Sequence, residues 1–542
     1  MVSDAVSALR YRNPILPGFY PDPSVVRVGD TFYLVNSSFE MFPGVPIHRS
    51  RDLVHWEPLG HVLTRDSQLP LASARASGGI FAPTIRHHAG TFYMVTTNVS
   101  QGGNFFVSAR DPAGPWSEPV WTPGQRGIDP SLFFDADGKV YLTSTGSPSG
   151  IYQSQIDIAT GALLTSPPRL IWQGSGGRYP EGPHLYAVNG RYYLMISEGG
   201  TEYGHMVTIA RSHSPWGPFE PCPHNPIVTH RNTGLDQPIQ GVGHAELIED
   251  GEGNWWMVFL AIRPQGGYYW HHLGRETFLA PVRWSDDGWP VVNENRPIGL
   301  DMVASRPRAR PLPNAPVRDE FEPRAPTGSS PGFSPAHSLG PAWNFLRNPV
   351  PSSYSLGERP GWLTLHGTPV SLERAEGASP TFVGRRQQHL RARMATRIDF
   401  EPREGEEAGL VLYRTPGHRY ELGVRRSEGR REVFVRQTVG TYLSVVTASA
   451  PAPGGQPLLL EIEAEPSRYT FAWAASPAAS PPPSSAASPQ LQRIGAAETR
   501  LLATEVTGGF IGVYVGLYAV ASEAAAGATP AAFDWFDYEA RS

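Results

Sequence analysis

Three acidic residues of this 542-residue chain lie in short segments that resemble one another. The segments are Pro21-Asp-Pro-Ser24, Ile128-Asp-Pro-Ser131 and Pro180-Glu-Gly-Pro-His184, which place the acids at Asp22, Asp129 and Glu181. Taken alone, an aspartate beside a proline is typical of a turn. If the three carboxyl groups met, burial and repulsion between like charges would separate their pKa values and supply a general acid and a general base.

A repeated strand pattern indicates how these acids are positioned. A glycine followed by aromatic and aliphatic residues recurs five times, at Gly29, Gly90, Gly138, Gly190 and Gly253. Each copy predicts a turn followed by a β-strand. Successive copies are 48 to 63 residues apart, about the length of a four-stranded propeller blade with its loops. The sequence therefore predicts a five-bladed β-propeller.

The acids occupy matching places relative to these glycines. Asp129 and Glu181 precede their glycines by nine residues, and Asp22 precedes its glycine by seven. Phe81 and His244 stand at the corresponding places of the second and fifth copies. Equivalent positions in radially repeated blades point at one central axis. The sequence thus predicts that the innermost strands direct three carboxylates, one aromatic ring and one histidine into a common funnel.

The composition favours a neutral, polar ligand. The chain has 14 Trp, 21 Tyr and 23 Phe, only 18% charged residues and a net charge of −5. It has no Lys/Arg-rich run, so a nucleic acid or an anionic membrane is not an expected partner. A β protein rich in aromatic residues that also carries these acids is suited to binding a sugar. Two carboxyl groups are sufficient for glycoside hydrolysis, and a third can tune them.

The acids lie within longer segments, and a fourth segment follows later. The four are Asn13-Pro-Ile-Leu-Pro-Gly-Phe-Tyr-Pro-Asp-Pro-Ser24, Gly127-Ile-Asp-Pro-Ser131, Glu181-Gly-Pro-His-Leu-Tyr186 and Leu273-Gly-Arg-Glu-Thr277. Together they resemble glycoside hydrolase family 43, in particular its two-domain β-xylosidase and α-L-arabinofuranosidase branch. The resemblance implies an all-β chain, with a five-bladed propeller followed by a concanavalin-like β-sandwich (jelly roll).

The resemblance also implies an activity and a division of roles. The expected reaction is exo-acting and inverting, and it releases terminal α-L-arabinofuranosyl or β-D-xylosyl groups from arabinoxylan or xylo-oligosaccharides. Asp22 is the implied general base and Glu181 the implied general acid. Asp129 is implied to orient Glu181 and to raise its pKa.

Further site residues follow from the same resemblance. Arg275 is expected to donate hydrogen bonds to sugar hydroxyls. Phe39 and Thr201 are expected to form an aromatic and a polar wall of the sugar pocket. Phe81 occupies a place where related β-xylosidases carry tryptophan, so a smaller wall and an arabinofuranosyl substrate are both compatible with the sequence. His244 matches a histidine that in some relatives approaches a divalent cation.

The domain organisation is read from composition and strand pattern. Residues 1–305 are assigned to the propeller, the proline-rich residues 306–317 to a linker, and residues 318–542 to the sandwich. Alternation predicts strands at Leu363–Leu365, Ala408–Tyr413, Tyr420–Val424 and Phe510–Tyr518. The first and last strands of the sandwich, near Asp319 and Asp534, are expected to pair.

Several alternatives remain open at this point. An endo-arabinanase or a non-catalytic carbohydrate-binding propeller would share much of the pattern. No cofactor is required, although the resemblance allows a calcium ion near His244. In the sandwich, Asp319 and Asp534 could share a structural calcium ion. No apolar run approaches the roughly 18 residues needed to span a bilayer, so a soluble protein is expected. The N-terminus lacks the features of a signal peptide, so the protein is expected to be either cytoplasmic or secreted after removal of a signal. Homo-oligomer formation is left open.

Overall fold

Each glycine-led repeat forms the first hairpin of its own antiparallel sheet, which has five strands in the Gly190 repeat and four strands in each of the others. The computed structural model describes residues 9–234, 236–265, 270–304, 312, 316–322, 339–374, 377–441, 443–476, 490–522 and 527–541. The five repeat glycines have φ values between 63° and 88°, a left-handed backbone that glycine adopts without steric cost. The strand after each glycine is the second strand of its sheet. The five-bladed propeller predicted from the repeats is confirmed.

The propeller strands follow the chain from the inside of each blade outward. The chain begins with β1 (Leu9–Arg12). Blade 1 contains β2 (Ser24–Val28), β3 (Thr31–Val35), β5 (Gly44–Ser50) and β6 (Glu57–Leu63), with the short β4 (Met41–Phe42) in a loop. Blade 2 contains β7 (Thr84–His88), β8 (Thr91–Asn98), β9 (Gly103–Ala109) and β10 (Val120–Trp121). Blade 3 contains β11 (Ser131–Phe134), β12 (Val140–Gly146), β13 (Gly150–Ile156) and β14 (Arg169–Trp172).

The last two blades complete the ring. Blade 4 contains β15 (Glu181–Val188), β16 (Arg191–Glu198), β17 (Met206–Ser212), β18 (Glu220–Pro221) and β19 (Val228–Thr229). Blade 5 contains β20 (Gln240–Glu249), β21 (Trp255–Ile262), β22 (Glu276–Trp284) and β23 (Pro290–Val292), and β24 (Asp301–Ala304) then pairs with β1. The segment before blade 1 also bonds to β22, since Leu16 pairs with Thr277 and Asn13 Nδ2 donates to the Leu279 carbonyl. These contacts join the first blade to the last.

Two further antiparallel sheets form the C-terminal sandwich. One contains β25 (Arg318–Asp319), β27 (Tyr354–Ser355), β28 (Leu363–Leu365), β30 (Ala392–Asp399), β35 (Leu458–Ala464), β36 (Arg468–Ala475), β37 (Gln492–Glu498) and β39 (Ala531–Ala540). The other contains β26 (Asn344–Leu346), β29 (Thr381–Arg386), β31 (Glu407–Thr415), β32 (His418–Ser427), β33 (Arg430–Val439), β34 (Leu443–Pro451) and β38 (Tyr514–Val520). Asp319 pairs with Phe536, so the expected pairing of the first and last strands is confirmed.

Helices are short in the described residues. They are the 3-10 turns Asn293–Asn295, Pro351–Ser353, Leu372–Arg374 and Thr499–Leu502, and α1 (Thr504–Thr507). Among the described residues, none of the helices has the length and hydropathy needed to cross a bilayer.

The sandwich is joined to the propeller by a shared sheet. The blade 1 strand β4 pairs with β26 of the sandwich, with Phe42 opposite Phe345 and Met41 opposite Leu346. The four side chains are almost fully buried, so apolar burial holds the two domains together at this edge. The predicted linker 306–317 lies mostly outside the described residues, and the predicted domain boundaries stay predictions.

Candidate active site

A pocket at the centre of the propeller brings together all eight side chains that the sequence singled out. The pocket has a volume of about 300 Å³. Its lining includes Asp22, Phe39, Phe81, Asp129, Glu181, Thr201, His244 and Arg275. The convergence expected from the repeats is therefore present, whereas the individual roles stay predictions.

The acids are held by unusual backbone just ahead of the inner strands. Asp22 and Asp129 lie two residues before β2 and β11, outside the strands in which they were expected, with φ values of 52° and 56°. Glu181 is the first residue of β15. His244, with φ of 44°, lies inside β20 close to a shift of register. Left-handed backbone is rare for residues with a Cβ atom and clusters at functional sites.

The residue after Glu181 is a glycine for a steric reason. Gly182 has φ of 58°, and a Cβ atom there would lie 3.2 Å from the ring of His244. Its N–H donates a hydrogen bond of 3.1 Å to Oδ2 of Asp129. The Glu-Gly pair therefore lets Glu181, Asp129 and His244 approach one another.

The surroundings of Asp22 stabilise its ionised form. Its carboxylate is buried, and it accepts hydrogen bonds from Arg275 Nη1 at 2.9 Å and from Ser37 Oγ at 2.5 Å. Burial alone would raise the pKa of Asp22, but the charge of Arg275, the nearby His244 and the Ser37 hydroxyl outweigh it and lower the pKa. Asp22 is thus ionised at neutral pH.

Asp129 and Glu181, in contrast, both have raised pKa values. Burial, reinforced by the charge of Glu181, raises the pKa of Asp129 well above its ordinary value. Burial, reinforced by the charge of Asp22, raises the pKa of Glu181 to about 7. Because two neighbouring carboxyl groups resist double ionisation, the Asp129 and Glu181 pair retains a proton near neutral pH. The pocket therefore holds one anionic carboxylate and one proton-bearing pair.

Arg275 fixes the polar side of the pocket. Besides Asp22, its Nη1 donates to Thr201 Oγ1 at 3.0 Å. Its guanidinium carbon lies 5.7 Å from the centre of the Phe39 ring and 5.4 Å from that of Phe510. The buried Nε–H of Arg275 has no hydrogen-bond partner among the described residues, as expected for a donor whose partner is a ligand.

Three phenylalanines form the apolar side of the pocket. The rings of Phe39 and Phe81 are 5.2 Å apart, and Phe510 lies 5.8 Å from Phe39 and 5.9 Å from Phe81. Phe39 and Phe81 come from the propeller, whereas Phe510 comes from the sandwich. The expectation of a strand over Phe510–Tyr518 is wrong at its start, because β38 begins at Tyr514. Phe510 instead lies in the irregular segment that reaches the pocket.

The segment that carries Phe510 is tied to the propeller by polar contacts. The Phe510 N–H donates to Ser77 Oγ at 2.8 Å. Glu505 contacts two propeller loops, through His271 Nδ1 at 2.8 Å and the Tyr203 hydroxyl at 3.0 Å. These loops precede Arg275 and follow Thr201, so the sandwich positions the polar side of the pocket as well as its aromatic wall.

Replacing Phe510 with alanine is expected to raise KM about tenfold, because a lost aromatic contact of about 1.4 kcal/mol corresponds to that factor. The ring is 39% exposed, so the melting temperature should change little. Steady-state kinetics and thermal melting would measure both effects. Val506→Ala is a matched control, since Val506 is 46% exposed on the same segment and lies outside the pocket. Equal KM values for the two variants would show that Phe510 does not contact the substrate.

His244 lies beside Asp22, at the place where a divalent cation was expected. His244 Nδ1 lies 3.9 Å from Asp22 Oδ1, and that oxygen already accepts from Arg275. Within the described part of the chain, no group of three or more His, Cys, Asp or Glu is arranged to hold a metal ion. In the sandwich, Asp319 accepts from Trp343 Nε1, and Asp534 is paired with Arg397. A calcium ion at either place stays a prediction.

Six lining residues were not predicted. They are Ala82, Ile128, Tyr179, Gly200, Glu202 and Phe510. One signal could have located Phe510, because it follows Gly508 and Gly509, and paired glycines indicate a loop rather than a strand. No signal in the sequence places the others in the pocket.

Comparisons with known proteins agree with this architecture. Residues 11–290 match the sequence model described as glycosyl hydrolases family 43. Residues 332–539 match the one described as the beta xylosidase C-terminal concanavalin A-like domain. The first match covers the propeller blades, and the second covers most of the sandwich.

Individual relatives match over nearly the whole chain. A non-reducing end alpha-L-arabinofuranosidase of Bacteroides ovatus is 41% identical over 99% of this chain and 96% of its own length. A xylosidase/arabinosidase of Butyrivibrio fibrisolvens is 41% identical over 94% of this chain and 95% of its own. A solved structure described as Bacteroides ovatus xyloglucan PUL GH43B has a TM-score of 0.89 and 40% identity, covering 98% of this chain and all of its own.

Proposed function

The chain belongs to glycoside hydrolase family 43 and is a glycosidase, and from this premise we propose that it releases terminal pentosyl groups by an inverting, exo-acting reaction. The observation that carries the proposal is the pocket of about 300 Å³, in which one anionic carboxylate faces a carboxyl pair that retains a proton. This charge state supplies the carboxylate and the carboxylic acid that glycoside hydrolysis requires before substrate binds. The inverting course is the one that membership of the family implies.

Asp22 acts as the general base. Its lowered pKa keeps it ionised, and hydrogen bonds from Arg275 and Ser37 hold its carboxylate in place. A water molecule beside Asp22 loses a proton to it as the water oxygen attacks the anomeric carbon.

Glu181 acts as the general acid. Its raised pKa of about 7 leaves a large fraction of Glu181 protonated at neutral pH. It gives its proton to the glycosidic oxygen as the bond from this oxygen to the anomeric carbon breaks. The products are a free pentose of inverted configuration and an alcohol. Asp22 is then protonated and Glu181 ionised, and exchange of protons with solvent restores the starting state.

Asp129 tunes the acid, and its replacement has a predicted pH signature. In Asp129→Asn, Glu181 no longer shares a proton with a second carboxyl group, and of the two neighbouring acids only Asp22 still acts on it, so its pKa falls. The alkaline limb of the kcat/KM profile reports loss of the acid's proton, and it should move to lower pH. The acidic limb, set by Asp22, should stay in place. A pH profile on an aryl pentoside checks this, and an alkaline limb at the wild-type position would contradict the tuning role.

The sugar is held between the two sides of the pocket. Arg275 and Thr201 supply donors to its hydroxyl groups, and Phe39, Phe81 and Phe510 cover its apolar C–H surface. A pocket volume of about 300 Å³ lies at the low end of ligand pockets. The pocket is also closed on one side by the sandwich, which suits one terminal sugar unit. An internal cleavage site would need a groove open at both ends.

The substrates proposed are oligosaccharides from arabinoxylan, xylan or xyloglucan that end in an arabinofuranosyl or xylosyl group. The relatives named above support both pentoses, and the name of the structural relative adds xyloglucan.

A side-by-side rate measurement tests this function. The panel comprises an aryl β-D-xyloside, an aryl α-L-arabinofuranoside, xylobiose, arabinosylated xylo-oligosaccharides, arabinosylated xyloglucan oligosaccharides and linear arabinan. Release of single pentose units from one or more of the first five is expected. Release of oligosaccharides from the interior of arabinan would instead support an endo-arabinanase, and no turnover of any substrate would support a binding protein.

A further inference from the structure

One aromatic side chain at the pocket has no part in the reaction described above. Tyr179 lines the pocket, yet it is 61% exposed, whereas Phe39 is 2% exposed. We propose that Tyr179 is the platform for the sugar ring on the leaving-group side of the scissile bond. This inference rests on the proposed function and adds a specificity-determining residue to it.

The ring of Tyr179 is supported from one side. The Arg178 guanidinium carbon lies 5.5 Å from the ring centre. Arg178 is itself anchored, because its Nε donates to the Gly199 carbonyl at 2.9 Å and its Nη2 donates to Glu202 at 2.9 Å. A cation beside one part of the ring leaves the exposed remainder available to a ligand.

Close backbone approach also limits the movement of the ring. Gly199 N–H donates to the Arg178 carbonyl at 2.8 Å, which joins the two loops. A Cβ atom at Gly200 would lie 3.3 Å from Tyr179 Cδ2. The loop that carries Thr201 therefore lies directly against the tyrosine.

The backbone of Tyr179 is strained. Its φ is 53°, a conformation rare for bulky residues. It also precedes Pro180, and a residue before proline favours extended backbone. A strained backbone that holds a large apolar ring in solvent at a pocket is an observed outlier that points to function.

The position along the chain identifies which sugar the ring meets. Tyr179 lies two residues before Glu181, whose proton goes to the glycosidic oxygen in the proposed reaction. The leaving sugar begins at that oxygen, so it lies next to Glu181 and within reach of the neighbouring Tyr179. The ligand class is therefore a sugar ring with an apolar C–H face rather than a small alcohol.

The test compares leaving groups with and without a ring. Tyr179→Asn removes the ring but keeps a residue that tolerates left-handed backbone, and Tyr179→Phe keeps the ring. The substrates are the pentosyl fluoride, whose leaving group has no ring, and an oligosaccharide that ends in the same pentose. The measured quantity is kcat/KM for the oligosaccharide divided by kcat/KM for the fluoride.

We expect this ratio to fall at least about tenfold in Tyr179→Asn and to stay close to the wild-type value in Tyr179→Phe. Leu164→Asn is the control, since Leu164 is 60% exposed and lies outside the pocket, and its ratio should be unchanged. An unchanged ratio in Tyr179→Asn would overturn the proposal, as would an equal fall in Tyr179→Phe.

A second measurement does not depend on the turnover of oligosaccharides. The free leaving oligosaccharide, without its terminal pentose, should inhibit fluoride hydrolysis by wild type and Tyr179→Phe, and about tenfold more weakly in Tyr179→Asn. Equal inhibition of all three proteins would overturn the platform. Wild-type protein that hydrolyses neither substrate would instead contradict the proposed function itself, so the two failures are distinguishable.

Discussion

Glu181→Ala is expected to lower kcat/KM about a thousandfold on oligosaccharides, whose leaving alcohols are poor, because a general acid contributes roughly 10² to 10⁴. Aryl glycosides with an acidic phenol need little protonation and should lose much less. The measurement is a series of aryl pentosides of varied phenol pKa together with an oligosaccharide. In the variant, the rate should depend far more steeply on the leaving-group pKa than in wild type.

The control for this prediction is a glutamate outside the pocket. Glu220 is exposed on the fourth blade and paired with Arg211, and Glu220→Ala should leave the leaving-group dependence unchanged. Equal losses of Glu181→Ala on oligosaccharides and on activated aryl glycosides would reject Glu181 as the acid.

Asp22→Asn is expected to lower kcat by about a thousandfold on every substrate, since a general base contributes roughly 10² to 10⁴ and water must be activated whatever the leaving group. The asparagine keeps the shape of the side chain but cannot accept a proton. Sodium azide, a nucleophile that needs no base, should restore part of the rate on activated aryl pentosides and give a pentosyl azide. Initial rates with and without azide, and analysis of the product, measure both effects.

Ser37→Ala provides the comparison for Asp22. It removes one donor to the Asp22 carboxylate but leaves the base in place, so a far smaller loss is expected. A loss in Asp22→Asn that depends on the leaving group, without azide rescue, would argue against Asp22 as the base.

The repeats allowed the carboxylates to be located from the sequence, because equivalent positions of every blade face the central axis. Asp129 and Glu181 share one offset from a glycine that must form a hairpin turn, and the structure brings both into one pocket. The offset did not predict the backbone conformation at the acids. Asp22 and Asp129 lie ahead of their strands, and not inside them where the sequence had predicted them. A left-handed aspartate has no signature in a strand pattern.

Contacts between domains could not be predicted by the same reasoning. Phe510 lies more than 400 residues from Phe39 in the sequence, yet the two rings stack at 5.8 Å. Similarly, β4 of the first blade joins a sheet of the sandwich through Phe42 and Phe345. Such pairings depend on the docking of two folded domains, and neither partner repeats, so no periodicity reveals them.

Composition predicted a sugar pocket but not the pKa values of its carboxyl groups. The lowered pKa of Asp22 depends on Arg275, which lies 253 positions away, and on Ser37 from the neighbouring strand connection. Sequence alone identified three acids, whereas their separation into one base and one proton-bearing pair needed the surrounding charges.

The configuration of the first product tests the central claim most directly. Wild-type enzyme is mixed with an aryl pentoside of the preferred sugar, and ¹H NMR spectra are recorded before the released pentose mutarotates. With Asp22 activating water and Glu181 protonating the leaving oxygen, the first anomer to appear should have the inverted configuration. First appearance of the retained anomer would require a covalent intermediate and would contradict the roles proposed for Asp22 and Glu181.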